Sequence, residues 1–244
     1  MNAKPARLEN LHTDKGKVPV YATGIVEQPW DDYTAADHDV WRQLYERQRQ
    51  LLVGRGSDEA IDLLVRAFCR AGQDSVVITP PTFGFYKVAA RIQGAGVLEV
   101  PLLRDGFTLD AGQVIAAGLR AKIVFLCSPN NPTGNLLDEV AMLRVCTELA
   151  GKALVVVDEA YVEFCDRASL TARLAEFPNL VILRTLSKAY ALAGARLGTV
   201  IASEDIVGLL RRIIPPYAIP ASTVDEVLAL TEAPQRALSA ARIR

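Results

Sequence analysis

From about Gly54 onward, short apolar runs alternate with longer stretches in which apolar and polar positions mix. The runs at residues 75–79, 97–100, 123–127, 154–157, 181–184 and 199–202 are dense in Val, Ile and Leu, the pattern of strands buried on both faces. Between and after them, residues 59–70, 85–93, 110–119, 136–150 and 205–213 carry apolar side chains at helical spacing. Strands separated by helices predict an α/β domain of three layers, with a mainly parallel sheet covered on both sides. The first fifty residues differ. Residues 4–29 are polar and irregular, and a helix is expected over 37–52, with Val40, Leu44 and Leu51 on one face and Thr34 or Asp37 as its cap.

Polar clusters recur at one kind of place. PPTFG (80–84) follows the run at 75–79, SPNNPTG (128–134) the run at 123–127, DEAY (158–161) the run at 154–157, and TLSKAY (185–190) the run at 181–184. Open α/β sheets bind ligands outside the carboxyl ends of their strands. Four such clusters therefore predict a site.

Composition narrows the partners. The chain has 244 residues, which suits one large domain with at most a short appendage. Lys plus Arg is 27 against 28 for Asp plus Glu, so there is no basic field for nucleic acid or an anionic membrane. No apolar run approaches the roughly 20 residues of a spanning helix, and no cationic segment leads into an apolar one at the N-terminus. Cys69, Cys127, Cys146 and Cys165 make no CxxC pair and read as reduced, mostly buried thiols of a cytoplasmic protein. The two histidines, His12 and His38, are too few and too far apart for a histidine-based metal site, so no metal is expected.

The clusters hold one coherent chemistry. A lone lysine such as Lys188 is usually a solvated surface residue, but held in a cleft it can carry an aldehyde cofactor covalently. Pyridoxal 5'-phosphate also needs a phosphate cradle, a carboxylate for its ring nitrogen and donors for its ring oxygen. Arg196 and Ser187 flank Lys188, and Ser57-Asp58 opens a helix whose free N–H groups suit an anion; simple capping by Ser57 is the plainer alternative. Asp158 follows a buried strand and suits the ring nitrogen. Asn131 and Tyr161 can reach the ring oxygen, and Phe83 can lie on the ring face, although an aromatic there is more commonly core.

The residues that carry this chemistry also carry a resemblance. Gly56-Ser57-Asp58-Glu59, Pro81 to Tyr86, Ser128 to Gly134, Asp158 to Tyr161 and Thr185 to Gly198 resemble, in order and spacing, the motifs of histidinol-phosphate aminotransferase. That family belongs to the fold-type-I pyridoxal-phosphate enzymes. The resemblance covers about 54–223. It implies Lys188 as the covalent anchor and proton-transfer residue, Asp158 on the ring nitrogen, and Asn131 and Tyr161 at the ring oxygen. It also implies Ser187, Arg196 and the backbone of Ser57 and Asp58 at the phosphate, with Phe83 stacked on the ring. The implied reaction is amino transfer between histidinol phosphate and 2-oxoglutarate in histidine biosynthesis, by a homodimer acting on small amino and keto acids.

Other readings stay open. Residues 18–48 resemble the start of bacterial phenylalanine 4-monooxygenase, so the chain is divided here into an arm with a helix (1–53), a cofactor-binding large domain (54–230) and a polar tail (231–244). That enzyme's iron needs two histidines and a carboxylate, which His12 and His38 do not supply, and the arm is read as a structural remnant. The family's C-terminal small domain, with the Arg that grips the substrate carboxylate, is expected to be missing, leaving cofactor binding weakened and turnover slow or nil. An inactive module that keeps the fold, and a phosphorylated-amino-acid decarboxylase, are the alternatives. Leu154 to Glu159 also resemble the Walker B strand of a nucleotide site, but an ATPase reading lacks the P-loop that must accompany it. Gly54-x-Gly56 lacks the third glycine of a dinucleotide fingerprint and is expected to follow a helix.

Overall fold

The computed structural model describes residues 49–224 and 227, so most of the arm and the tail lie outside the described residues. Seven strands form one sheet: β1 (Leu51–Gly54), β2 (Ser75–Ile78), β3 (Gly96–Glu99), β4 (Ile123–Cys127), β5 (Leu154–Asp158), β6 (Leu180–Thr185) and β7 (Gly198–Ala202). Their order across the sheet is β1-β7-β6-β5-β4-β2-β3. All pairings are parallel except those of β7, which runs antiparallel to both β1 and β6. The helices are α1 (Gly56–Phe68), α2 (Phe85–Gln93), α3 (Ala111–Gly118), α4 (Glu139–Glu148) and α5 (Glu204–Leu210).

Alternation along the strands builds two cores. Ile123, Phe125 and Cys127 of β4 face one side, where Ile61, Leu64 and Val65 of α1, Tyr86 and Ala89 of α2, and Val207 and Leu210 of α5 cover the sheet. Val124 and Leu126 face the other, against Val114 and Ala117 of α3 and Met142, Val145 and Cys146 of α4. Period-2 strands with helices on both faces give the expected three layers. Asp110 and Asp138 cap α3 and α4, accepting from the N–H groups of Gln113 and Ala141 at 3.0 and 2.7 Å. Cys69, Cys127 and Cys146 are buried, while Cys165 is half-buried.

Two expectations are corrected. The helix expected over 37–52 does not reach its end: its last residues are β1, in register with β7 from Leu51↔Ile201 to Gly54↔Gly198. An apolar Leu-Leu-Val run fits a helical face and a buried strand equally well, and only the distant β7 decides. A strand, not a helix, therefore precedes Gly54-x-Gly56. Likewise α1 starts at Gly56, with Arg55 as its N-cap, so Ser57 lies inside the first turn and caps nothing.

The sheet order explains the clusters. β6, β5, β4 and β2 are neighbours, so the four polar loops that follow them lie side by side. β1 runs parallel to β6, and α1 therefore begins at the same end of the sheet. Because β7 is reversed, its start also lies there, and the segment from Thr185 to Gly198 leaves and re-enters the sheet at one rung, Thr185↔Gly198.

Candidate active site

One cleft of about 270 Å³ opens at this end of the sheet, and all nine residues singled out from the sequence line it: Ser57, Asp58, Phe83, Asn131, Asp158, Tyr161, Ser187, Lys188 and Arg196. Cys127, Ala160, Thr185 and Ala193 complete the lining.

At the floor stands Asp158, the last residue of β5 and 2% exposed. Its Oδ2 accepts from the Tyr86 hydroxyl at 2.8 Å and its Oδ1 from the Ala160 N–H at 3.1 Å. Burial pushes its carboxyl up to about 6, against the two hydrogen bonds, which favour the charged form. A carboxylate sunk this deep calls for a positive or proton-bearing partner.

The walls come from loops that lock one another. Asn131 donates to the Tyr161 hydroxyl at 3.2 Å, and the Lys188 ammonium lies 5.6 Å from the centre of the Tyr161 ring. Asn130, its neighbour, is buried and donates to the Pro81 carbonyl at 2.8 Å and the Thr133 hydroxyl at 2.6 Å, tying the loop that bears Phe83 to the loop that bears Asn131. Glu159 plays the same part behind Tyr161. It accepts from the Leu170 N–H at 2.8 Å and the Ser169 hydroxyl at 2.5 Å, and Arg184 approaches it at 3.7 Å. Burial raises its carboxyl, and these partners offset the rise only in part.

The remaining wall suits an anion. Glu59 reaches back to accept from the Arg55 N–H at 2.6 Å, and no side chain caps α1, whose first-turn residues Ser57 and Asp58 line the cleft, so the N–H groups of this turn lack a side-chain cap and suit an anion. Ser187 shares a hydrogen bond of 3.1 Å with Thr185, whose hydroxyl also donates to the Leu197 carbonyl at 3.2 Å. Arg196 stands across from α1, 3.3 Å from Asp58. Two glycines allow this close approach. A Cβ on Gly56, whose φ is +81°, would come within 2.7 Å of the Arg196 guanidinium, and one on Gly198 within 2.5 Å of both the Gly56 carbonyl carbon and the Ser57 nitrogen. The neighbour at Gly198 is backbone and cannot swing aside. Gly198→Ala is therefore expected to destabilise the fold by about 1–3 kcal/mol, read from the urea midpoint. An unchanged midpoint would show that β7 and α1 can part freely.

Three residues of the site escaped the sequence reading. Tyr86 and Asn130 sit within motifs whose neighbours drew the attention, and Glu159 resembled part of a nucleotide-site strand rather than a clamp. Cys127 also lines the cleft, but its thiol is pushed up to about 12 by burial and stays protonated, so it is no nucleophile at neutral pH.

The sequence profile of the family "Aminotransferase class I and II" matches residues 29–244. The chain belongs to this aminotransferase family. The match begins inside the arm. Histidinol-phosphate aminotransferase of Stenotrophomonas maltophilia is 56% identical over 177 residues, which are 70% of this chain and 48% of that protein. This chain thus spans about half the length of the curated relatives it matches. Among solved aminotransferases, histidinol-phosphate aminotransferase of Sinorhizobium meliloti, in complex with pyridoxal-5'-phosphate, superimposes with a TM-score of 0.71 at 25% identity, over 84% of this chain and 57% of that one. L-Threonine-O-3-phosphate decarboxylase of Porphyromonas gingivalis gives 0.64 at 25% identity, over 82% and 65%. The three-layer, mainly parallel fold expected from the sequence is thus that of the aminotransferase relatives.

Proposed function

We propose that this chain binds pyridoxal 5'-phosphate and takes part in amino transfer between histidinol phosphate and 2-oxoglutarate. The observation that carries the proposal is the convergence of an amine, a buried carboxylate, two ring-oxygen donors and an anion cradle on one cleft. The residues fit the cofactor by the chemistry of the donor set and by the space that Gly56 and Gly198 leave between α1, Arg196 and β7. When bound, the cofactor supplies an electron sink for the bond at the substrate's α-carbon.

The side chains then divide the work. Lys188 would anchor the cofactor's aldehyde, and its amine would move a proton to and from the substrate's α-carbon. Asp158 holds the ring nitrogen protonated. Above about 6 its carboxylate form dominates, so this support is present at neutral pH and fades as the medium turns acidic. Asn131 and Tyr161 orient the ring oxygen, Phe83 covers one ring face, and the α1 N–H groups, Ser187 and Arg196 hold the phosphate. Small amino and keto acids are the partners on this reading, and a homodimer like that expected from the sequence belongs with it.

Titration with pyridoxal 5'-phosphate, followed by histidinol phosphate, tests the proposal. A visible absorbance band should form, then convert as the amino group leaves the substrate, and 2-oxoglutarate should restore it. No band at any concentration would leave only an inactive module. The likeness to the threonine-phosphate decarboxylase sustains a second reading, in which a phosphorylated amino acid loses carbon dioxide. Release of carbon dioxide from such a substrate, with no conversion by histidinol phosphate, would favour it.

A further inference from the structure

We propose that Tyr86 is a positioning residue which holds Asp158 charged and fixes the tilt of Phe83 from a place no ligand reaches. The inference rests on the pyridoxal-phosphate reading for its consequence, though not for its first test. Tyr86 is the second residue of α2 and is fully buried. Its ring stacks on Phe125 of β4 with centroids 4.7 Å apart and planes 6° from parallel, which fixes where its hydroxyl points. That hydroxyl ends 2.8 Å from Asp158 Oδ2. The same ring and that of Phe83 meet nearly perpendicular, with centroids 5.5 Å apart and planes at 84°. One side chain thus touches both residues assigned to the ring, one at its nitrogen and one at its face, and does not itself line the cleft.

The two donors to Asp158 are unequal in what can replace them. The Ala160 N–H belongs to the main chain two residues on, whereas the Tyr86 hydroxyl comes from a helix on the covering layer. The other groups facing this carboxyl do not help to keep it charged. Asp58 from α1 and Glu159 from its own loop are acidic and push the other way, and the Cys127 thiol of β4 is protonated. Lys188 and Arg196 line the same cleft, but neither has a hydrogen bond to Asp158 among the described residues. The Tyr86 hydroxyl is therefore the side-chain donor that offsets burial. A fully buried hydroxyl without a partner would be costly, and Phe would fill the same volume without that cost, so the contact with Asp158 is what accounts for a tyrosine here.

Tyr86→Phe removes the donor and keeps the packing. In the protein without cofactor, the Asp158 carboxyl, followed by carbon NMR after labelling aspartate and assigned by its loss in Asp158→Asn, should titrate about one pH unit higher or more. Incorporation of 3-fluorotyrosine makes the hydroxyl a stronger donor in an otherwise unaltered sequence and should move the titration down; this arm needs no substitution that could unfold the chain. In the protein with cofactor, Tyr86→Phe should weaken pyridoxal-phosphate affinity about tenfold at neutral pH. An Asp158 titration that stays put in both arms overturns the assignment, whatever the cofactor does. Failure of pyridoxal phosphate to bind the wild-type protein, with the titration shifts intact, overturns the cofactor reading and leaves the role of Tyr86 toward Asp158 standing.

Discussion

Lys188→Ala is expected to fold normally, to form no visible band with pyridoxal 5'-phosphate, and to lose about a thousandfold or more of any amino transfer. The fold should tolerate the change because the Lys188 side chain is exposed and its ammonium sits 5.6 Å from the Tyr161 ring centre. An exposed contact of that kind contributes only about 0.5–1 kcal/mol. Chemistry should not tolerate it, since no other amine lines the cleft among the described residues. Borohydride reduction of the loaded wild-type protein, digestion and mass mapping supply the check. Label on the peptide bearing Lys188 is the expected outcome; label on Lys87 or Lys122 instead would remove the basis of the site.

Asp158→Asn should make the cofactor-free protein more stable at neutral pH while weakening cofactor binding. The sign follows from the direction of the shift. The carboxyl sits at about 6 in the fold against 3.8 in its ordinary setting, so the folded chain holds this proton more tightly than the unfolded one. Ionised Asp158 therefore costs stability on the order of 3 kcal/mol above about pH 6, and the cost is relieved as pH falls from there toward 4. Asn carries no charge and can keep both contacts, because the Tyr86 hydroxyl can turn to accept from the new amide while Ala160 still donates. Urea midpoints for the two proteins should thus differ most near pH 8 and converge near pH 4. A gap that does not vary with pH would mean that burial places no strain on the carboxylate. Such a trade of stability for function is common where a charged group awaits its ligand.

How much of this could be read from the chain depends on whether a partner is local. β4 and α2 fall where the spacing of apolar positions places them, because burial on two faces or on one leaves its mark within a few residues. β1 does not, since Leu51-Leu52-Val53 acquires its identity from β7, far along the chain. Of the site, the nine residues nominated by motif all line the cleft, as each motif stands at a strand end and four of those strands are neighbours. The supporting contacts were hidden. Nothing around Tyr86 announces that its hydroxyl meets Asp158, and nothing in Asn130-Asn131 tells which amide faces inward and which ties two loops together. Side-chain pairs of high sequence separation leave no periodic signal.

The reversed strand has one more consequence. Lys188 and Arg196 belong to a single excursion whose two ends meet at the Thr185↔Gly198 rung, reinforced by the Leu186 N–H on the Leu197 carbonyl at 3.1 Å. The span between the amine proposed as the anchor and the guanidinium proposed for the phosphate is consequently set within one excursion of the chain. Changes in segments outside this excursion would leave its paired ends, and so the separation of Lys188 and Arg196, in place like a fixed caliper.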